Sequence, residues 1–272
     1  MMNQQTCNRL TVSRTKFRFL VMVAGMGFAH VASAMEPLVT DDTGTLGAGR
    51  HQIEFAATHT HETSPAGRTT QREGEVVYTH GISDSLDVFV SAGRAAGSDE
   101  SAGTAFVGTT NPSLGIKWRY FEDAENAYSL LLKPELVLPV SASKEAEGLG
   151  TGRVSYGLTA GVSHETGFGS VHVNWFIARD RYRDDLSFPD ARTSRLSFAP
   201  VWNVGSGWTL AADTGIEHVW AGGMTTRTRF VELGAIHAIN EDLELAIGFI
   251  RQRDSDQVRA NTATIGLTWR FD

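Results

Sequence analysis

Few residues in this chain are arranged for covalent chemistry. Ser170 and His172 stand two apart, so on a strand they share one face. A hydroxyl beside an imidazole is the nucleophile–base half of a hydrolytic triad, but no spacing marks a third member. His59-Thr60-His61 is a close histidine pair, with Glu62 as the one nearby third ligand for a metal. Solvated histidines at a loop edge account for the same pattern. The chain has no Gly-x-Ser-x-Gly elbow, no His-Glu-x-x-His and no Gly-x-x-x-x-Gly-Lys. The expectation is a protein without catalytic residues, metal or cofactor.

Charge at alternating positions is the stronger signal. Glu54, Asp87, Lys117, Arg119, Lys133, Glu135, Arg153, Arg195, Asp213, Glu217, Glu232 and Glu244 all fall in the polar phase of apolar–polar alternation. If those phases converge on an enclosed centre, both signs of charge are partly desolvated there and should pair across strands. Such a network either fills the centre and holds it together or lines a polar path and sets selectivity. The sequence leaves both readings open.

The elements that carry these charges are strands. Leu114, Ile116, Trp118 and Tyr120 alternate with Ser113, Gly115, Lys117 and Arg119, and Leu243, Leu245, Ile247 and Phe249 alternate with Glu244, Ala246 and Gly248. Segments near 50–62, 71–80, 86–94, 111–121, 127–138, 153–164, 170–179, 193–203, 208–219, 227–239, 243–253 and 258–271 repeat this period of two. Short connections at 81–85, 122–126, 165–169, 204–207 and 240–242 alternate with mostly longer ones at 63–70, 95–110, 139–152 and 180–192, and shorter ones at 220–226 and 254–257. Short turns on one side and longer loops on the other are the pattern of an outer-membrane barrel, with both termini in the periplasm. Tyr78, Trp118, Tyr120, Tyr128, Trp202, Trp208, Trp269 and Phe271 all lie beside a short turn or the C-terminus, where one interfacial ring would need them. The predicted fold is all-β: a transmembrane up-and-down antiparallel β-barrel of about twelve strands.

Residues 1–34 read as a secretory signal peptide, with a basic start (Arg9, Arg14, Lys16, Arg18), an apolar run from Phe19 to Val31 and an Ala-x-Ala site before Met35. Cleavage is expected between Ala34 and Met35. The one cysteine, Cys7, lies in that leader, so the remainder has no thiol chemistry. The whole chain carries −7; without the four leader bases the remainder carries −11, which argues against a nucleic-acid partner.

Both ends of residues 35–272 carry family-like patterns. The terminal strand, with Thr264, Gly266, Trp269 and Phe271, resembles the signal read by the outer-membrane assembly machinery, although Asp272 follows the final aromatic. At the other end, residues 35–49 read as irregular, rich in Gly and Asp. Pro37, Thr40, Asp41, Asp42, Gly47 and Gly49, followed by Gln52 and Glu54 on an alternating strand, resemble the opening of the outer-membrane family named for a putative MetA pathway of phenol degradation. That resemblance implies a transporter-like barrel in the outer-membrane bilayer, passing small, hydrophobic or aromatic cargo. The expected mechanism is diffusion through a charged constriction, with residues 35–50 folded near the periplasmic mouth. Two other functions stay open: a structural or surface-interaction barrel with a closed lumen, and an outer-membrane hydrolase.

Overall fold

Alternation sorts these side chains between two environments, and the computed structural model shows which is which. It describes residues 37–100, 103–183 and 188–272; the leader and its cleavage site lie outside them. The strands are β1 (His51–Ser64), β2 (Gly67–Ser83), β3 (Leu86–Asp99), β4 (Thr104–Thr109), β5 (Ser113–Asp123), β6 (Tyr128–Val137), β7 (Ser155–Thr166), β8 (Gly169–Asp180), β9 (Ala191–Gly205), β10 (Trp208–Ala221), β11 (Met224–Ala238), β12 (Leu243–Asp254) and β13 (Arg259–Phe271). Neighbours pair antiparallel in chain order, and β1 pairs with both β2 and β13, so the sheet closes into a ring. Closure pairs each wall strand on both sides, as a wall in lipid requires, with the short β4 alone paired only to β3.

The apolar phase faces outward. Phe55, Trp118, Trp175, Leu196, Leu233, Ile247 and Ile265 are all exposed. The polar phase faces inward, and Gln52, Glu54, Asp87, Lys117, Lys133, Asp213 and Glu232 are buried. A water-soluble barrel would invert this, since its centre would hold the apolar side chains.

Twelve spans make the wall, because β4 and β5 are one strand interrupted at Thr110–Pro112, both pairing with β3. Pro112 has no N–H to give to the ladder. The Asn111 amide repairs the gap: Nδ2 donates to the carbonyls of Leu138 and Thr151 at 2.6 and 2.9 Å, and Oδ1 accepts from Thr151 N at 2.7 Å.

Connections at the end away from the termini are shorter than the sequence suggested. Residues 63–70 are not a loop: β1 and β2 continue to a turn at 65–66. Likewise 95–110 is mostly β3 and β4, and 220–226 is strand closed by Gly222 and Gly223, both at positive φ as a two-residue hairpin turn favours. Past the lipid, both faces of a hairpin meet water, so alternation fades and strand reads as loop. Two long connections remain, 138–154 and 181–190. The first holds the short helix α1 (Ala142–Ala146), N-capped by Ser141. Glu145 joins the two by accepting from Gly152 N at 3.0 Å and Arg183 N at 2.7 Å.

Candidate functional site

The lumen is occupied by the chain's own N-terminal segment. Residues 37–50 do not stop at the mouth, as expected, but run into the barrel. At the entrance Gly49 N donates to Gly81 O at 2.8 Å and Gly81 N to Arg50 O at 2.9 Å. The two chains are so close that a Cβ on Gly81 would meet Gly47 O at 1.9 Å. Farther in, Leu46 N donates to the Asp87 carboxylate, and Thr43 N donates to Ser163 Oγ at 3.1 Å. Asp41 sits between two lysines, accepting from Lys117 Nζ at 3.0 Å and from Lys133 Nζ at 2.8 Å; Lys117 also reaches Asp42 at 2.9 Å.

The segment then reaches the opposite wall. Thr40 gives both its N–H (2.7 Å) and its hydroxyl (2.8 Å) to Asp213, and Val39 N donates to Glu232 at 3.2 Å. Leu38 packs with Ala199, Val201 and Ala211, and Val39 with Phe230 and Ile250. Pro37 lies on Gly234 and Gly248, where a Cβ would come within 2.8 and 2.6 Å of its ring. Anchors on β3, β5, β6 and β7 at one side and on β9 to β12 at the other mean that the segment crosses the lumen.

The Asp41 clamp is the electrostatic centre of this arrangement. Asp41 and Lys133 are each 2% exposed. Burial alone would push the Asp41 carboxyl up, but Lys117 and Lys133 outweigh it and hold it below the ordinary value of 3.8. A carboxylate whose folded value is depressed stabilises the fold above its unfolded value. That contribution is lost only as pH falls through the lowered one, so the clamp is intact at neutral pH.

Of the charges expected in the lumen, Asp87, Lys117, Lys133, Asp213 and Glu232 touch the segment. Glu54 and Glu135 are buried on the inward face. Arg195 pairs with Glu217 at 3.4 Å and lies over the Phe176 ring at 4.8 Å. Glu244 accepts from Arg270 at 2.9 Å, near the termini. Arg119, half-buried at the same mouth, pairs with Glu122 at 3.3 Å and donates to Asp84 O at 2.8 Å. Arg153 is a correction: it is exposed in the connection ahead of β7, because the strand begins at Ser155 and the alternation was carried too far. The lumen positions of Asp41, Asp42 and a set of acids toward the far end, Glu62, Asp99, Asp180 and Asp254, were not foreseen from the sequence. No local signal pointed to Asp41, since Lys117 already faces Asp87 across the β3–β5 ladder and Glu135 stands two residues from Lys133 on the same face.

The charges are unevenly spread along the axis. Glu62, Asp99, Asp180, Glu217 and Asp254 belong to the end away from the termini, where Arg195 is the one inward base on the strands among the described residues. That half of the lumen is strongly acidic.

Ser170 and His172 do meet, with Oγ 2.8 Å from Nε2. The other ring nitrogen, Nδ1, is 2.7 Å from Ser163 Oγ, where a triad would need a carboxylate to stabilise an imidazolium. All three point inward beneath Thr43, so the cluster serves as a seat for the segment. His59 and His61 project outward, rings edge-on at 5.2 Å, and no group of three metal-ligating residues occurs among the described residues. On β13, Thr264 and Gly266 face inward, while Trp269 is 47% exposed on the outer face beside Phe271.

The inside-out sorting, the ring closure and the twelve spans decide the class. The chain is an outer-membrane β-barrel. No family model and no curated protein matches it. Among solved structures it is similar to a COG4313 outer membrane channel from Pseudomonas putida F1, with TM-score 0.65 and 15% identity over 88% of this chain and all of that one. It is also similar to the NanC porin (TM-score 0.52, 11% identity, 79% of this chain and 98% of that one). The β domain of the Bordetella autotransporter BrkA gives TM-score 0.50 and 14% identity over 83% of this chain and 100% of that one. At these identities the likeness is one of fold.

Proposed function

We propose that the protein is a passive, non-enzymatic channel for small molecules, narrowed by residues 37–50 and made selective by its acidic outer half. The observation that carries this reading is the enclosed polar lumen, in which the obstruction is a single segment held by ion pairs and hydrogen bonds rather than a continuous apolar core. Solutes would pass beside the segment, and the acids at Glu62, Asp99 and Asp254 would favour cations and neutral molecules over anions. The resemblance to the phenol-degradation family, and the channel and porin descriptions of the Pseudomonas putida F1 and NanC structures, support transport; the family resemblance favours aromatic cargo. The leader would direct export and be removed after Ala34, and the Gly266–Phe271 end would be read by the assembly machinery.

The packing of Leu38 and Val39 against the wall favours a second reading, a barrel closed for structural use. Planar-bilayer recording of the purified protein separates the two. Discrete currents with a reversal potential shifted toward that of the cation are expected. Absence of current above background would leave the closed barrel, and turnover of lipid or ester substrates would instead revive the hydrolase.

A further inference from the structure

The outward face carries a charge pattern of its own at the end away from the termini. Register places Arg229 directly opposite Arg253, and Arg253 directly opposite Arg259. The row continues through Thr63 on β1 to Arg68 on β2. Arg251, two residues before Arg253, adds a further cation beneath the row. All five arginines are exposed and share the face that bears Val231, Ile247, Phe249 and Ile265, each more than half exposed. The row therefore starts where the lipid-facing apolar band ends.

Side chains directly opposite on neighbouring strands lie about 5 Å apart, and like charges at that spacing repel. Within the described residues no carboxylate pairs with any of these guanidinium groups; the ion pairs of the molecule lie elsewhere. The acids at the same level, such as Glu62 beside Thr63 and Asp254 beside Arg253, take the inward phase. The sheet itself stands between them and the arginines. Three adjacent strands thus hold a repulsive row that their own protein does not neutralise, at the depth of lipid headgroups. The bases are all arginine, whose planar fork binds two phosphate oxygens at once, whereas the buried Lys117 and Lys133 act as point charges on carboxylates.

We propose that this row binds the phosphates of an anionic glycolipid in the outer leaflet, with the acyl chains lying along Val231, Phe249 and Ile265 below. The site commits to a phosphorylated glycolipid because, with the termini in the periplasm, this end of the barrel meets the outer leaflet. Its several phosphates per headgroup match a row of cations better than one glycerophosphate does.

Native mass spectrometry of the full detergent-purified protein tests the assignment. The probes are bisphosphorylated lipid A, its dephosphorylated form, phosphatidylglycerol and inorganic phosphate. Bisphosphorylated lipid A should be retained at least about tenfold more strongly than the other three. The combined substitution Arg229→Gln, Arg253→Gln and Arg259→Gln should remove that preference. Equal retention of the dephosphorylated lipid or of phosphatidylglycerol, retention of free phosphate alone, or an unchanged preference in the variant would each overturn the proposal. If the variant does not assemble, the four probes on the unsubstituted protein decide it.

Discussion

The half of the lumen near the termini and the half beyond Lys133 are built from the same strands but manage buried charge differently. In the near half, wall charges meet partners on an added segment, Lys117 and Lys133 with Asp41 and Asp213 with Thr40, and Arg270 pairs with Glu244 on the adjacent strand. In the far half acids predominate and Arg195–Glu217 is the ion pair on the inner wall among the described residues. Carboxylates gathered without cations need water or mobile counter-ions, since desolvated like charges are costly. The near half is thus packed around the segment, whereas the far half, lined mainly by acids, would form a vestibule. On the channel reading proposed above, the segment would narrow the path and these acids would draw cations toward it.

The largest effect should come from breaking the near half. Asp41→Ala leaves Lys133 buried without an ion pair, a change that costs on the order of 3–5 kcal/mol. Because Asp41 is the one segment residue joined to both buried lysines, the expected result is release of residues 37–50, read as cleavage of the segment by added protease and a several-fold larger unit current. Lys133→Met together with Asp41→Met, which removes both charges and keeps bulk, should restore protection. A smaller effect is expected in the vestibule. Glu62→Gln with Asp254→Asn should leave the segment protected and the barrel heat-modifiable on gels, while moving the reversal potential toward zero. If the vestibule variant also frees the segment, the two halves are not independent.

The contrast also explains what the sequence could convey. On β13, the alternation of Ile265, Leu267 and Trp269 with Thr264, Gly266 and Thr268 sorts the side chains onto two faces, and the Trp and Tyr beside the short turns marked the apolar face as the one meeting lipid. The same rule placed Lys117, Asp213 and Glu232 inside. It failed at the far ends of β1 and β2, where polar residues such as Thr69, Gln71 and Arg72 stand on both faces. It also carried Arg153 one step past the strand that begins at Ser155. The role of residues 37–50 was out of reach for another reason. Asp41 lies 76 and 92 positions from its lysine partners, and Thr40 lies 173 from Asp213. No local propensity records contacts that exist only once the ring has closed, and a run of Thr, Asp and Gly reads as a solvated loop. The arginine row on the outer face was hidden similarly, since Arg229, Arg253 and Arg259 become neighbours only through register.

The account stands on a segment that crosses the lumen and limits flow. Thr40→Cys with Asp213→Cys, made together with Asp41→Ala so that the disulfide replaces the clamp, tests it in a chain whose one native cysteine is Cys7 in the leader. Unit current is recorded from the same protein oxidised and then reduced. The account predicts a disulfide between the two cysteines, a current close to that of the unsubstituted protein while the bond holds, and a larger current after reduction. Failure of the cysteines to join, or equal currents in both states, would contradict it.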